Sequence, residues 1–136
     1  MLDLRQHEHV PATSFIDFDA GKWSSIERKG RAVATLDRVA NGRVAYGDKF
    51  LFSYYGNTKS GRSMARPIGT ITTRDRWAIV NGDHMRMLTA DENLLAMTFP
   101  ADIRRPDNHR LTIHMAGNAV PPLAGQRVIE ALLELA

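Results

Sequence analysis

The most restrictive feature of this 136-residue sequence is that it contains no cysteine. Disulfide bonds, thiolate metal sites and cysteine nucleophiles are therefore excluded within these residues. A chain without disulfides fits a reducing compartment, and we expect a cytoplasmic location. Long hydrophobic runs are missing too. No apolar stretch approaches the roughly 20 residues that a membrane-spanning helix needs, so no membrane partner is expected.

The remaining composition is that of an ordinary globular chain. Hydrophobic residues make up 43% and charged residues 24%, proportions that disfavour disorder. The length is enough for one domain with a modest core, and we divide the chain into an N-terminal arm, 1–14, and a single unit, 15–136. The formal net charge of +3 permits binding to a polyanion without requiring it.

Several segments have the composition of β-strands. Phe15–Asp19 alternates apolar and acidic residues, which predicts a short strand. Lys49–Tyr55 is rich in aromatic residues and predicts a second strand. The β-branched runs Ile68–Thr73 and Trp77–Val80 are separated by three charged residues, and they predict a hairpin.

Two helices are predicted in the first hundred residues. Ala32–Ala40 carries apolar residues at helical spacing, and Asn41–Gly42 provides a stop because both residues tolerate a left-handed backbone. A second, short helix is indicated by Thr89 and Glu92, which have the spacing of a capping box. That helix should end by Phe99, because the following proline disfavours helical geometry there.

The C-terminal segment predicts a charged loop, a turn and a last helix. The loop covers residues 101–112, and Gly117–Asn118 predicts a tight turn whose following amides could hold an anion. Pro121–Pro122 suits the first turn of a helix. That helix is amphipathic and must pack on something, because four apolar residues share one of its faces: Val128, Ile129, Leu132 and Leu133.

Three segments in order carry a resemblance to a known family: Thr70–Arg76, Arg86–Glu92 leading to Phe99–Pro100, and Met115–Pro122. The series closely resembles the C-terminal third of DNA cytosine-5 methyltransferases. The first segment is similar to the threonine-containing signature of that family's target-recognition region. The other two are similar to its ninth and tenth conserved motifs. The resemblance is specific from about Phe50 onward and looser back to about Phe15.

One departure from the family pattern is visible before the Phe-Pro pair. The family usually has Gln-Gly there, whereas this sequence has Met97–Thr98. The resemblance implies an α+β fold: a small strand-rich recognition region with flanking short helices and a C-terminal amphipathic helix, forming part of a methyltransferase domain.

The resemblance also implies roles for individual residues. The DNA-contacting set, extended by two neighbouring arginines, is Thr70, Ile71, Thr72, Thr73, Arg74, Arg76, Arg62 and Arg66. The residues that would organise the recognition region are Arg86, Leu88, Thr89, Glu92, Phe99 and Pro100. The turn that would help to shape the S-adenosylmethionine pocket is Gly117, Asn118, Ala119 and Val120.

A basic cluster supports the DNA-binding role independently of the family. Five cations lie between Lys59 and Arg76, and Asp75 is the one acidic residue among them. Arginines can read guanine edges with two hydrogen bonds, and threonine hydroxyls suit phosphate oxygens. On charge alone, a solvated surface loop explains the cluster equally well. With the resemblance, double-stranded DNA is the favoured partner.

The chemistry of the family needs motifs that this sequence does not contain: a Phe-x-Gly-x-Gly cofactor loop, a Pro-Cys nucleophile and a Glu-Asn-Val segment. Methylation at a ring carbon requires a covalent nucleophile and a base swung out of the duplex. We therefore expect this chain to be inactive alone. Our hypothesis is one piece of a split enzyme, with a catalytic partner chain and S-adenosylmethionine bound only in the assembly. The alternatives are a stand-alone DNA-binding module and an inert remnant.

Other candidate sites are weak, and no metal is expected. His7-Glu8-His9 on the arm is a poor ligand set, and Asp17 with Asp19 lacks the further carboxylates of a magnesium nuclease. The remaining histidines are expected to be structural or surface residues: His84, His109 and His114. Trp23 and Trp77 are expected to be core residues and not to stack on bases.

Overall fold

A four-stranded antiparallel sheet forms the centre of the fold, which a computed structural model describes for residues 8–134. The strands, in the sheet order β1-β4-β3-β2, are β1 (Ser24–Ser25), β2 (Lys49–Ser53), β3 (Trp77–Asn81) and β4 (His84–Met87). The helices are α1 (Val33–Tyr46), α2 (Ala90–Ala96), α3 (His109–Asn118) and α4 (Pro122–Glu134), and a 3-10 turn spans Ala12–Ser14. The α+β expectation is confirmed. No helix within residues 8–134 is long and apolar enough to cross a membrane.

Side chains alternate along each strand, and those on both faces of the sheet are buried in separate cores. Phe50 and Phe52 of β2 face α1 and pack with Val39 in one core. Leu51, between them, faces the other core together with Ile79 of β3. The predicted strand over Lys49–Tyr55 is thus confirmed as far as Ser53.

The prediction of a strand over Phe15–Asp19 is wrong. Ile16 is buried in the core, but the backbone around it does not pair with another strand. The Asp17 amide instead donates to the Glu92 carboxylate at 2.9 Å, and the Asp17 carbonyl accepts from Arg86 at 2.6 Å. Two distant side chains therefore take the hydrogen bonds that a neighbouring strand would have made.

Helix α1 is longer than predicted, because Asn41–Gly42 lies inside it rather than ending it. The helix ends at Tyr46, and the following Gly47 has a φ of +76°, a positive value that glycine adopts readily because it has no Cβ. A Cβ at Gly42 would lie 2.2 Å from the Phe50 ring. This glycine is therefore a packing residue that lets the helix approach β2.

The predicted hairpin between Ile68–Thr73 and Trp77–Val80 is also wrong. Only its second half is a strand, β3, which pairs with β2 on one side and β4 on the other. The tight turn falls between β3 and β4, where Gly82 has a φ of +58°. The 68–73 segment crosses the core irregularly, with the side chain of Ile71 buried.

The capping box at the start of α2 is confirmed, and the helix ends before Phe99 as predicted. Helix α3 was missed, because it lies across the end of the predicted charged loop and the predicted Gly117–Asn118 turn. Its first turn is capped by the Asn108 side chain, which accepts from the Leu111 amide at 2.9 Å. Helix α4 begins at Pro122, as the paired prolines predicted.

Thr98 gives a physical meaning to the departure from the family pattern. Within residues 8–134, Thr98 is the one residue other than glycine that has a positive φ, +63°. A β-branched side chain is strained in this conformation, which glycine adopts freely. The Thr98 hydroxyl accepts a hydrogen bond from the Leu123 amide at 3.0 Å, at the start of α4. The threonine therefore adds a cap to α4 that glycine could not provide.

Candidate nucleic-acid interface

A groove of about 780 Å³ lies beside the adjoining ends of β2 and β3. We call it the basic groove, because three arginines of the basic cluster line it: Arg62, Arg66 and Arg76. Thr70 and three serines also line it, and no carboxylate is found among its described lining residues. Four of the residues predicted to contact DNA therefore share one concave, positively charged surface.

Two of these arginines are held against the same aromatic ring. The guanidinium carbons of Arg62 and Arg76 lie 5.5 Å and 6.0 Å from the centroid of the Trp77 ring. Trp77 is 7% exposed and donates from Nε1 to the Thr70 carbonyl at 3.1 Å. Its expected place in the core is confirmed, and the ring also serves as the floor of the basic groove.

A second concave surface, of about 790 Å³, lies around Tyr55, and a smaller one that contains both Tyr55 and Arg76 separates it from the basic groove. The second surface contains Thr73 and Arg74 from the predicted site, the carboxylate of Asp75, and Arg110 and His114 from α3. Arg110 was not predicted as a site residue. Arg110 was part of the predicted charged loop 101–112, and placing it beside Arg74 required recognising that α3 begins at His109.

Residues Thr70–Thr73, which we call the threonine segment, contribute less free surface than their sequence indicates. Ile71 is 8% exposed and belongs to the core, so its side chain is not free to contact DNA. The Thr72 hydroxyl donates to the Arg74 carbonyl at 2.9 Å, which fixes the turn before the arginine. Arg74 itself is exposed.

Asp75, the acidic residue of the cluster, is paired with α3. Its carboxylate lies 2.8 Å from Nε2 of His109. The contact directs this carboxylate toward α3, so that it lines the second concave surface and not the basic groove. His109 was expected to be a structural or surface residue, and its position here agrees with that expectation.

Arg38 of α1 is a positioning residue that the sequence did not reveal. Its guanidinium donates to the carbonyls of Tyr54, Gly56 and Thr58, at 3.2, 2.9 and 2.9 Å. Three carbonyls on one side chain fix the loop that follows β2 and borders both concave surfaces. No local pattern predicts these bonds, because the partners lie 16 to 20 residues away.

A buried ion pair underlies the motif that was expected to organise the recognition region. Arg86 and Glu92 form two hydrogen bonds of 2.7 Å each, with side chains that are 1% and 3% exposed. Glu92 also accepts from the Thr89 amide, and Arg86 donates to the Met87 carbonyl. A charge-assisted, fork-like pair of this kind ties β4 to the start of α2.

The other residues of this motif extend the same support. Leu88 is 2% exposed in the core, and Phe99 packs against that core as it leaves α2. Pro100 is exposed at the end of the segment. Trp23 stacks over the Arg86 guanidinium at 4.9 Å, in agreement with its expected packing role.

Gly117 is not in the predicted tight turn, because it lies in the last turn of α3. A Cβ at Gly117 would lie 2.3 Å from the backbone of Thr72 and Thr73. A glycine is therefore needed for the helix to approach the threonine segment, and this contact joins two of the three family-like segments. The last turn of α3 and the threonine segment thus share one packed interface.

Of the other residues expected on the cofactor side, Asn118 and Val120 are exposed and Ala119 is partly buried. Asn118 is exposed, and its amide nitrogen lies 3.2 Å from Nε2 of His114. Ala119 is half-buried, and Val120 is 73% exposed. Asn118 and Val120 therefore have side chains available for one wall of a ligand site, whereas Gly117 is already covered by the threonine segment.

Helix α4 has an apolar face that the described residues do not cover. None of its residues is buried. The exposed fractions of its four large apolar side chains are 43% for Val128, 60% for Ile129, 54% for Leu132 and 70% for Leu133. We call these four residues the α4 face.

His7, part of the weak ligand set of the arm, lies outside the described residues. Within residues 8–134, no group of three or more histidine, aspartate or glutamate side chains is placed to hold a metal ion. Asp17 uses its carboxylate to accept from the Asp19 amide at 2.9 Å.

Comparison with known proteins agrees with the resemblance carried by the three segments. The family model of C-5 cytosine-specific DNA methylases matches residues 5–134. The chain therefore belongs to the C-5 cytosine-specific DNA methylase family. Neither the curated proteins nor the solved structures gave a match. The assignment to the C-terminal, target-recognition part of that family stays a prediction.

Proposed function

We propose that this chain is the DNA-recognition and C-terminal portion of a DNA cytosine-5 methyltransferase. The observation that carries the proposal is the basic groove, where Arg62, Arg66 and Arg76 converge without a carboxylate among the described lining residues. A polyanion neutralises such a concentration of like charge, and duplex DNA offers closely spaced phosphates with base edges between them.

The recognition unit would act by holding DNA in a fixed position relative to the catalytic centre. The Arg86–Glu92 pair fixes the frame on which the DNA-facing loops stand. Arg38 fixes the loop after β2. Gly117 couples the threonine segment to α3. A rigid frame lowers the entropy lost when the target cytosine is placed for attack.

S-adenosylmethionine supplies the transferred methyl group when it is bound in enzymes of this family. In this chain, Asn118 and Val120 are the exposed residues of the cofactor-side turn and would contribute one wall of its site. The Asn118 amide can donate to and accept from a polar ligand, and Val120 can contact an apolar one. The cofactor loop and the cysteine nucleophile would come from a partner chain.

The α4 face supports a catalytic partner over a stand-alone module. A stand-alone module would use its amphipathic helix to cover its own core, whereas here all four apolar residues are at least 43% exposed. Apolar clusters of this kind mark surfaces that another protein covers. We propose that the catalytic part of the methyltransferase packs on this face.

The experiment is co-expression of this chain with the methyltransferase segment encoded beside it, followed by measurement of 5-methylcytosine in the DNA. The pair should methylate DNA, and this chain alone should not, because it supplies no cysteine nucleophile. Methylation by the chain alone, or none by the folded and copurified pair, would contradict the proposal.

Substitution of the α4 face tests the proposed contact directly. Ile129→Ser with Leu132→Ser should abolish copurification of the two chains. In the isolated chain the same change should alter the free energy of unfolding by no more than about 0.5 kcal/mol per site, because both side chains are exposed. Glu130→Gln, on the polar side of the helix, is the matched control and should leave copurification intact.

A further inference from the structure

The arginines of the interface differ in how firmly the protein holds them. Arg62, Arg66, Arg74 and Arg110 are exposed, and within residues 8–134 none of their guanidinium groups makes a hydrogen bond or an ion pair. Arg62 and Arg76 both lie over the Trp77 ring. Arg66, Arg74 and Arg110 can follow a phosphate wherever it lies, whereas the Trp77 ring restricts where Arg62 and Arg76 present their donors.

Arg76 is held at its backbone and at one nitrogen of its side chain. Its carbonyl accepts from the Tyr54 amide at 2.7 Å. Its Nε donates to the Ser53 hydroxyl at 3.2 Å, and that hydroxyl, on a residue 1% exposed, donates in turn to the Tyr55 carbonyl. The two terminal nitrogens of Arg76 are left as a fork with a defined direction.

Arg62 is fixed in a different way. Its backbone forms an isolated bridge with Leu51 on the outer edge of β2, with hydrogen bonds of 3.0 and 2.6 Å. Gly69 packs beside it, and a Cβ there would lie 2.6 Å from the Trp77 ring and 3.0 Å from Nη1 of Arg62. The glycine therefore leaves the space that lets the guanidinium rest on the ring.

We propose that Arg62 and Arg76 determine the DNA sequence preference by reading guanine edges, while the freer arginines bind phosphate. The proposal rests on the DNA-recognition function above. A guanine presents two acceptors in the major groove, O6 and N7, that match two parallel donors of one guanidinium. Pre-organised donors lose little entropy on binding and reject bases that lack this pair of acceptors.

A lysine at either position separates base reading from charge. It keeps the positive charge that phosphate binding needs, but it has a single ammonium in place of the planar fork. Arg62→Lys and Arg76→Lys should therefore preserve the salt dependence of binding and relax the sequence preference. Arg66→Lys and Arg74→Lys should change affinity evenly across sequences and keep the preference.

The test is selection from random duplex DNA by the full chain, followed by binding measurements on the enriched sequence and on single-base changes. The wild type should enrich a motif with guanines. Arg76→Lys should lose most of the discrimination at one guanine, a factor of about 5 to 150 for one bidentate contact. Arg28→Lys, an exposed arginine after β1, should leave both affinity and motif unchanged.

The outcomes separate this inference from the function on which it rests. A chain that binds no duplex at low salt would overturn the DNA-recognition function and the inference together. Salt-dependent binding with the same guanine-containing motif in the wild type, Arg62→Lys and Arg76→Lys would overturn the inference alone. A uniform loss of affinity in these two variants would identify them as phosphate contacts instead.

Discussion

This small fold contains two sets of arginines with different roles. Arg86 is 4% exposed, and its guanidinium is paired with Glu92 and bonded to two backbone carbonyls. The arginines of the basic groove have no acidic partner among the described residues. An arginine whose donors are used internally supports the fold, whereas arginines left without carboxylates are available to an external anion.

The largest effect on stability is expected from substitution of the buried arginine, Arg86. Arg86→Met should lower the free energy of unfolding by about 3–5 kcal/mol, because it leaves the Glu92 carboxylate buried without its charge partner. Urea denaturation of both proteins measures the difference. The matched control is Arg66→Met in the basic groove, which should change stability by no more than about 0.5 kcal/mol.

A double variant shows whether Arg86→Met destabilises the protein by leaving Glu92 unpaired or by changing the side-chain volume. Arg86→Met combined with Glu92→Gln removes both charges and should be more stable than Arg86→Met alone, since no unpaired carboxylate remains. Equal losses for Arg86→Met and Arg66→Met would mean that burial does not divide the two sets of arginines. The structural half of the comparison would then be wrong.

Gly117 links the supporting frame to the DNA-facing segment, and its substitution should have the next largest effect. Gly117→Ala places a Cβ 2.3 Å from the Thr72–Thr73 backbone, which must move. We expect a loss of about 1–3 kcal/mol in the free energy of unfolding. Weaker DNA binding should accompany it, because the threonine segment shifts with the arginines that follow it.

The control is the same substitution in α4. Gly125→Ala places its Cβ 3.7 Å from the nearest atom, a Val120 methyl group, which is an ordinary contact. Alanine favours the helix over glycine, so this variant should be more stable by roughly 0.5–1 kcal/mol. Stabilisation by both substitutions would contradict the close approach of α3 to the threonine segment.

The smallest effect is expected from an exposed ion pair that belongs to neither set. Arg105 donates to Asp91 at 2.5 and 2.9 Å, and these hydrogen bonds lower the pKa of Asp91 below its ordinary 3.8, against the opposing effect of burial. Because the folded-state pKa is the lower one, the stabilisation is present at neutral pH and is lost as the pH falls through that pKa.

Denaturation of Asp91→Asn and wild type at a series of pH values tests this sign. The variant should be slightly less stable at pH 7, and the difference should disappear in acid, once Asp91 is protonated in both states of the wild type. Asp102→Asn, an exposed change in the loop that also carries Arg105, should show no such pH-dependent difference. A difference that grows in acid would contradict the direction of the pKa shift.

Local patterns were sufficient where the determining contacts are local. Thr89 and Glu92 predicted the start of α2 because a capping box closes within one turn. Pro122 predicted the start of α4 for a similar reason. The aromatic residues of β2 also predicted a strand, although the burial of both its faces depends on elements far away in sequence.

The missed features depend on distant contacts. Gly42 looked like a helix stop because its need to fit against Phe50 cannot be read from its neighbours in sequence. Ile68–Thr73 looked like a strand, but no strand pairs with it, and Gly117 of α3 packs against its end. Helix α3 itself was obscured by a charged lead-in and by Thr112 and Ile113, β-branched residues with modest helical preference.

The site could be predicted only in part, because its arginine cluster is local in sequence whereas its other contacts are distant. The cluster of arginines was visible in the sequence, and the fold brought three of them into one groove. The sequence could not tell which of them rest on Trp77, that Arg110 lies beside Arg74, or that Arg38 fixes the adjoining loop. Each of these facts depends on how α1, α3 and the sheet pack.

The most direct test of the account is the salt dependence of duplex DNA binding by the wild-type chain and by Arg74→Ala with Arg76→Ala. For the wild type, the logarithm of the binding constant should fall linearly with the logarithm of the salt concentration. The double variant should bind more weakly, with a slope smaller in magnitude by up to about 0.9 for each phosphate contact removed. Because Arg76 is assigned to a base, a decrease near that for one contact is predicted. No binding at low salt, or an unchanged slope in the double variant, would contradict a DNA-recognition role for this surface.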